Sequence, residues 1–199
     1  MNNRTHLASG ELSACQRKLI FVDLETTGAN QLTDRITEIG IVSVERGSVE
    51  RWSTLVNPVM PIPPFIEQLT GISDDMVRDA PLFATLARAL AARLEGGLLI
   101  AHNAKFDSGF LQSGLAAAGL TLRNDVLCTV KLSRRLYPQH AKHNLDCLIS
   151  RHGLQAQGRH RALADADLLW QFWQKVQTEI APEAFAAAFA KVLRPYRAP

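Results

Sequence analysis

Short apolar runs alternate with polar turns along the first third of the chain. Residues 18–24 are rich in Ile, Phe and Val, which favours a central strand ending at the polar stretch 25–28. Two further strand-forming segments, at 36–44 and 50–56, flank residues 46–48, where the glycine suits a turn. The three segments together predict an antiparallel meander.

The remainder of the chain alternates helical periodicity with two short strands. Four prolines between residues 58 and 64 end the meander, and strand-forming residues return at 98–101 and 126–127. The pattern predicts helices at residues 65–69, 73–77, 81–94, 104–118, 129–136, 144–152, 161–178 and 182–193. A meander followed by strands that alternate with helices predicts one mixed sheet covered by helices.

Composition and length limit the class of protein. With 199 residues, 47% of them hydrophobic and 21% charged, the chain is typical of one globular domain and unlike a disordered or collagenous chain. We expect a flexible arm at residues 1–17, the main domain at 18–180 and a C-terminal helical extension at 181–199. Three widely spaced cysteines, with no apolar run of membrane-span length, predict a cytoplasmic protein that does not enter a membrane.

The net charge of +3 is too small to identify a nucleic-acid binder. A local excess of six positive charges is found between residues 131 and 161, where only Asp146 is acidic. Its basic members are Lys131, Arg134, Arg135, Lys142, Arg151, Arg159 and Arg161. The segment is interpreted either as a surface for phosphate groups or as an ordinary solvated basic face.

Four carboxylates occupy positions where a charge is costly. Asp23 and Glu25 are two residues apart at the end of the first strand, so they share one face, unless they form an exposed acidic turn. Asp165 lies on the apolar stripe of the helix at 161–178 and therefore needs a cation, a donor or a metal. Asp107 lies near the start of its helix, where the helix dipole alone could account for it.

Oxygen ligands without Cys or His favour Mg²⁺ or Mn²⁺. Two such ions, about 3.5 to 4 Å apart, can activate a water and stabilise a leaving alkoxide in phosphodiester hydrolysis. His160 precedes Asp165 by five residues, about 140° around a helix, so we expect it on the loop that enters the helix. There it is either a general base or an ordinary surface histidine.

Three segments resemble, in order, the exonuclease motifs of the DEDDh 3'-to-5' exonucleases, the family that contains the proofreading epsilon subunit of bacterial DNA polymerase III. Residues 21–28 (FVDLETTG) resemble the first motif, residues 102–107 (HNAKFD) the second and residues 160–166 (HRALADA) the third. The resemblance extends from about residue 18 to about residue 175 and includes LTGI at 69–72.

The resemblance implies an α/β, ribonuclease H-like fold with a central mixed five-stranded sheet. It implies a metal-dependent exonuclease that releases nucleoside 5'-monophosphates from the 3' end of single-stranded DNA. By the same resemblance, two Mg²⁺ or Mn²⁺ ions are bound by Asp23, Glu25, Asp107 and Asp165, and His160 is the general base. The residues implied to contact the terminal nucleotide are Asp23, Glu25, Thr26, Thr27, Leu69, Thr70, His102, Asn103 and Phe106.

Two other functions stay open. One is the same chemistry on short RNA, since no residue here identifies the 2'-hydroxyl by sequence alone. The other is a non-catalytic polymerase accessory module, although such a module would not need a general base. A DNA polymerase is the candidate protein partner. The sequence contains no glutamine-rich linker or evident clamp-binding segment after the domain, so a stand-alone exonuclease is at least as well supported as a replicative proofreader.

Overall fold

A computed structural model describes residues 17–198 and arranges them around a five-stranded sheet. Its strands are β1 (Leu19–Thr26), β2 (Ile36–Glu45), β3 (Ser48–Leu55), β4 (Leu98–Ala101) and β5 (Asp125–Cys128). Their order is β3-β2-β1-β4-β5, with β1, β2 and β3 antiparallel and β4 and β5 parallel to β1. The predicted mixed sheet and its three-stranded meander are confirmed. The predicted N-terminal arm lies outside the described residues, apart from Arg17.

Helices cover the sheet where the periodicity predicted them. They are α1 (Pro64–Thr70), α2 (Asp74–Val77), α3 (Phe83–Leu94), α4 (Lys105–Ala117), α5 (Thr129–Leu136), α6 (Leu145–His152), α7 (Ala162–Glu179) and α8 (Pro182–Val192). Polar caps fix two of the starts: Ser73 accepts the Met76 amide and Asn144 accepts the Cys147 amide. In the β2–β3 hairpin, Arg46 and Gly47 have φ of 49° and 82°, the two positive values that a tight hairpin turn requires.

The sheet buries apolar side chains on both faces, following the two-residue alternation of its strands. On β1, Leu19 and Phe21 belong to the core shared with α5 to α8, whereas Ile20 and Val22 belong to the core shared with α3 and α4. Phe21 packs against Trp170 and Trp173 of α7, with ring centroids 5.4 and 6.0 Å apart. Side chains that continue the Phe21 face toward the end of β1 therefore point to α7.

Two long-range backbone contacts shape the sheet. At Gly40 of β2 a methyl group would overlap the backbone of Ala162 and Leu163, so the start of α7 lies directly against the strand. At the β5 edge, Val126 and Arg194 exchange backbone hydrogen bonds of 2.9 Å, so the segment after α8 pairs antiparallel with β5. Among residues 17–198, no helix combines the length and apolarity needed to cross a membrane.

Candidate active site

β1 and α7 bring three of the predicted carboxylates together. Asp23 and Glu25 continue the Phe21 face of β1, and Asp165 lies in the first turn of α7. Each offers a carboxylate oxygen within 4.8 Å of the others. Both β1 acids lie within the strand and are half-buried, so the alternative of an exposed acidic turn is not what the structure shows.

Asp107 completes the acidic group from the first turn of α4, where its residue is only 2% exposed. Burial raises the pKa of Asp107 to about 8, and the charge of Glu25 acts in the same direction. Hydrogen bonds from the backbone amides of Asp107 and Leu24 oppose this shift. A helix dipole would not require such burial. The position of Asp107 is therefore set by its approach to the end of β1.

The carboxylates raise one another's pKa. Burial is the main cause of a pKa for Asp23 well above its usual value, followed by the charges of Asp107, Asp165 and Glu25. Burial, then the charges of Asp165 and Glu38, raise the pKa of Glu25 to about 7. Carboxyl groups whose ionisation is opposed in this way need a nearby cation to stabilise their charged form.

Arg159 supplies part of that charge. Its Nη1 donates to Asp165 Oδ2, while its Nε and Nη2 donate to Asp146 Oδ1 at 3.1 and 2.9 Å. The Arg159 charge also lowers the pKa of Asp23 and of Glu25, against the larger effect of burial. Arg159 belongs to the basic segment at residues 131–161, and its guanidinium points toward the carboxylates.

The acidic group fits a hard divalent cation. Asp165 Oδ1 is buried and has no hydrogen-bond partner among residues 17–198, which is costly for a carboxylate oxygen. The oxygens of Asp23 and Glu25 lie within coordination range of the same centre, and the set contains no thiolate or imidazole. Such oxygen-only donors match Mg²⁺ or Mn²⁺ better than zinc.

An ion pair with a buried carboxylate fixes the start of α7, which carries Asp165. Glu38, whose side chain is 5% exposed, accepts two bonds from Arg161, from Nη2 at 2.7 Å and from Nε at 3.0 Å. Glu38 Oε2 also accepts the backbone amide of Ala162 at 2.9 Å, one of the free amides at the start of the helix. Glu38 and Arg161 were not identified as site residues from the sequence, although a carboxylate within the apolar segment 36–44 was a usable signal.

His160 lies in the loop before α7, as predicted, and is half-buried. Its φ of 61° is unusual for a residue other than glycine, and it is followed directly by the Arg161 anchor. Backbone strain of this kind persists where the surrounding structure imposes it. The imidazole is thus attached to the same fixed helix start as Asp165.

Thr26 and Thr27 use their hydroxyls to hold the loop that follows β1. Thr26 Oγ1 donates to the Gly28 carbonyl at 2.6 Å, and Thr27 Oγ1 accepts the Arg35 amide at 3.0 Å. Both residues are buried. Their side chains therefore stabilise the loop that directly follows Glu25.

Leu69 and Thr70 end α1 in contrasting environments. Leu69 is 51% exposed, an unusual position for a large apolar side chain. Thr70 is buried, donates to the Ile66 carbonyl at 2.9 Å and accepts the Ile72 amide at 3.1 Å. Thr70 therefore fixes the turn after α1, and Leu69 is the side chain presented to solvent.

His102 and Asn103 lie between β4 and α4, and Phe106 lies in the first turn of α4. His102 Nδ1 is 2.9 Å from Thr129 Oγ1, and its buried Nε2 has no partner among the described residues. Burial, with help from the Arg159 charge, lowers the pKa of His102 to about 4, so the ring is neutral near pH 7. Asn103 has a left-handed φ of 62°. The half-buried Phe106 packs on Phe110, with the ring centroids 4.9 Å apart.

The family comparison agrees with the motifs. The sequence model of RNase_T, described as exonuclease, matches residues 20–171. Among curated proteins, the chain is 39% identical over 162 residues to a DNA polymerase III PolC-type of Caldanaerobacter subterraneus subsp. tengcongensis, covering 80% of this chain and 12% of the polymerase. It is 38% identical over 156 residues to the 3'-5' exonuclease DinG of Bacillus subtilis, covering 77% of this chain and 17% of DinG. The chain thus spans a small part of these relatives.

Solved structures give the same fold. Exonuclease X in complex with 5' overhanging duplex DNA superposes with a TM-score of 0.68 at 28% identity, covering 85% of this chain and 98% of that one. A structure of exonuclease I superposes with a TM-score of 0.78 at 18% identity, covering 88% of this chain and 44% of that one. The ribonuclease H-like arrangement predicted from the motifs is confirmed.

Proposed function

We propose, from the premise that this chain belongs to the RNase_T exonuclease family, that it is a metal-dependent 3'-to-5' exonuclease acting on single-stranded DNA. The observation that carries the proposal is the convergence of Asp23, Glu25 and Asp165 within 4.8 Å, beside the buried Asp107. Such a group of carboxylates destabilises the fold, as their raised pKa values indicate, and its retention needs a functional reason.

Two Mg²⁺ or Mn²⁺ ions are the cofactors of this proposal, held by Asp23, Glu25, Asp107 and Asp165. When bound, such ions would activate the attacking water and stabilise the charge on the leaving oxygen. The protein contributes a fixed geometry, because Asp23 and Glu25 lie on a central strand and Asp165 on a helix anchored by Glu38. Positions held by regular elements are better preorganised than positions on mobile loops.

His160 is proposed as the general base. An imidazole at the entrance of α7 can accept the proton of the attacking water and pass it to solvent. The Glu38–Arg161 pair and the Ala162 amide hold the residues that follow His160, so its position relative to Asp165 is restricted. The product of this reaction is a nucleoside 5'-monophosphate.

The terminal nucleotide is proposed to lie between α1 and the start of α4. Exposed Leu69 offers an apolar surface for a base, and neutral His102 offers an unpartnered ring nitrogen. Asn103 and Phe106 border the same region, and Thr26 and Thr27 shape the loop after Glu25. DNA is favoured over RNA because exonuclease X, at 28% identity, was solved with DNA.

Domain limits and partner follow as proposals of the same kind. The exonuclease domain is proposed to span residues 18–180, with 181–199 as an extension whose α8 packs through Phe185 on Trp173 at 5.2 Å. A DNA polymerase is the proposed partner, since the PolC-type relatives carry the matched segment within a longer polymerase chain. The proposed location is the cytoplasm.

The deciding assay uses DNA and RNA oligonucleotides labelled at the 5' end, each with Mg²⁺, Mn²⁺ or EDTA. Stepwise shortening of DNA only with metal is expected, and a blocked 3' end should prevent it. Asp23→Asn is the matched inactive control, because it removes a single charge and preserves shape. If neither nucleic acid is shortened, the proposed exonuclease activity is wrong. If RNA is shortened faster than DNA, RNA and not DNA is the preferred substrate.

A further inference from the structure

Arg159 is a cation that the chain itself supplies to the acidic group. Its side chain is 23% exposed and its guanidinium bridges Asp165, which is 7% exposed, and Asp146, which is 68% exposed. The guanidinium thus reaches from the rim of the site to its interior. Its charge acts on Asp23 and Glu25 as well as on Asp165, so it offsets part of the repulsion within the whole group.

The carboxylates next to Arg159 are those proposed to bind divalent ions. Asp165 offers Oδ1 without a partner, while its Oδ2 accepts Nη1 of Arg159. A guanidinium and a divalent cation on one carboxylate repel each other, strongly where water is partly excluded. Removing an ordinary supporting partner of a metal ligand weakens metal binding by about 10- to 100-fold. Because Arg159 carries a full positive charge, its repulsion of a divalent ion on the same carboxylate is the larger effect.

We infer that Arg159 is a resident counter-ion, which stabilises the acidic group without metal and opposes the binding of divalent ions. The inference rests on the proposed metal-dependent function. Asp146 gives the displaced guanidinium a place to remain, because it already accepts two of its N–H groups on the exposed side. Arg159 therefore raises the concentration of divalent ions at which the site becomes occupied, and its guanidinium stays at the rim of the site when the metal is bound.

The first test measures Mn²⁺ affinity by titration calorimetry in the absence of nucleic acid. Arg159→Gln should bind Mn²⁺ at least about tenfold more tightly than the wild type, because the repelling charge is gone. Arg159→Lys keeps the charge but loses the planar fork, and should stay within about threefold of the wild type. Arg88→Gln removes an equal charge from an exposed position on α3 and should change nothing. Equal or weaker binding by Arg159→Gln would overturn the inference.

The second test measures thermal unfolding in EDTA. Arg159→Gln should melt at a lower temperature than the wild type, since the carboxylates lose their counter-ion. Saturating Mn²⁺ should raise the melting temperature of this variant by more than it raises that of the wild type. Asp23→Asn should raise the melting temperature more in the Arg159→Gln background than in the wild type, because the repulsion it relieves is no longer offset by Arg159. If the increase is the same in both backgrounds, the loss in Arg159→Gln arises from local packing and the counter-ion role is wrong.

The two proposals fail in different ways. A wild type that shortens DNA, with an Arg159→Gln variant that binds Mn²⁺ no more tightly, would remove the counter-ion role alone. A wild type that binds Mn²⁺ but shortens no oligonucleotide would remove the exonuclease function, while the ratio of the two affinities would still decide the role of Arg159. Absence of Mn²⁺ binding by both proteins would overturn both proposals.

Discussion

The two ends of α7 carry polar groups of opposite kinds. At its start, Asp165 faces Asp23 and Glu25, so carboxylates lie beside carboxylates and one oxygen is unpartnered among the described residues. At its end, Glu179 Oε2 accepts the Tyr137 hydroxyl at 2.7 Å and lies 3.0 Å from His152 Nδ1. In the second cluster a hydroxyl and an imidazole face a carboxylate, which links the residue after α5 to α6 and α7, and His152 Nε2 has no partner among residues 17–198. In the first cluster the carboxylates repel one another at a cost in stability, which indicates that this cluster has a function other than stabilising the fold.

The largest expected effect comes from removing one carboxyl of the acidic group at the start of α7. Asp23→Asn should lower the exonuclease rate by on the order of 10³-fold, since a ligand of the proposed metal centre is lost. The same substitution should raise the melting temperature in EDTA by a few degrees, because it removes a carboxyl whose ionisation is opposed by burial and by the neighbouring carboxylates. Glu179→Gln is the matched change at the other end and should do the reverse, reducing stability and preserving the rate. Equal behaviour of the two variants would contradict the comparison.

His160→Ala tests whether the start of α7 also supplies the base. The rate should fall by about 10²- to 10⁴-fold, as expected for loss of a general base, while Mn²⁺ affinity stays close to that of the wild type. Single-turnover rates and calorimetry on the same preparations separate the two quantities. An unchanged rate would leave His160 as a surface histidine.

Breaking the anchor of α7 should reduce stability in an asymmetric way. Arg161→Gln leaves the buried Glu38 carboxylate without its ion pair and should lower the free energy of unfolding by about 3 kcal/mol. Glu38→Gln leaves Arg161, which is 42% exposed and can be hydrated, and should cost less. Urea unfolding of both variants measures the difference. The reverse order would mean that the helix amide, and not the ion pair, dominates the anchor.

The cluster at the end of α7 should respond to pH. Burial is the main cause that lowers the pKa of His152 below its ordinary value of 6.5, against the opposing effect of Glu179. The unfolded chain therefore binds a proton more readily below pH 6.5, so stability is full above that pH and falls as the pH decreases through the folded pKa. His152→Gln should flatten this part of the unfolding profile, below pH 6.5. A profile of unchanged slope would show that other groups cause the acid loss.

The smallest effect concerns basic residues that face solvent, in contrast to Arg159 and Arg161. Lys131, Arg134 and Arg135 are exposed and lie on one face of α5. If they contact phosphates, replacing all three with Gln should reduce the salt dependence of single-strand binding by about 2 units of slope, roughly 0.7 for each. Binding titrations at several salt concentrations give the slope, and an unchanged value would make this face an ordinary solvated surface.

Local periodicity was sufficient for some of this site and insufficient for the rest. The two-residue period of a strand placed Asp23 and Glu25 on one face, and the helical period placed Asp165 toward the core. By contrast, Glu38 and Arg161 are 123 residues apart, and their pairing depends on how α7 packs across β2 at Gly40. No local pattern contains that packing, and for the same reason the guanidinium of Arg159 could not be assigned to the acidic group.

The pairing of Arg194 with Val126 has a consequence for self-association. An open sheet has two free edges, and each can template a strand from another molecule. In this protein the bridge between Arg194 and Val126 covers part of the β5 edge, while Glu50 and Arg51 place charges on the β3 edge. Cleavage that releases residues 194–199 would expose an apolar strand, so proteolytic nicking at the C-terminus should show itself first as turbidity rather than as lost catalysis.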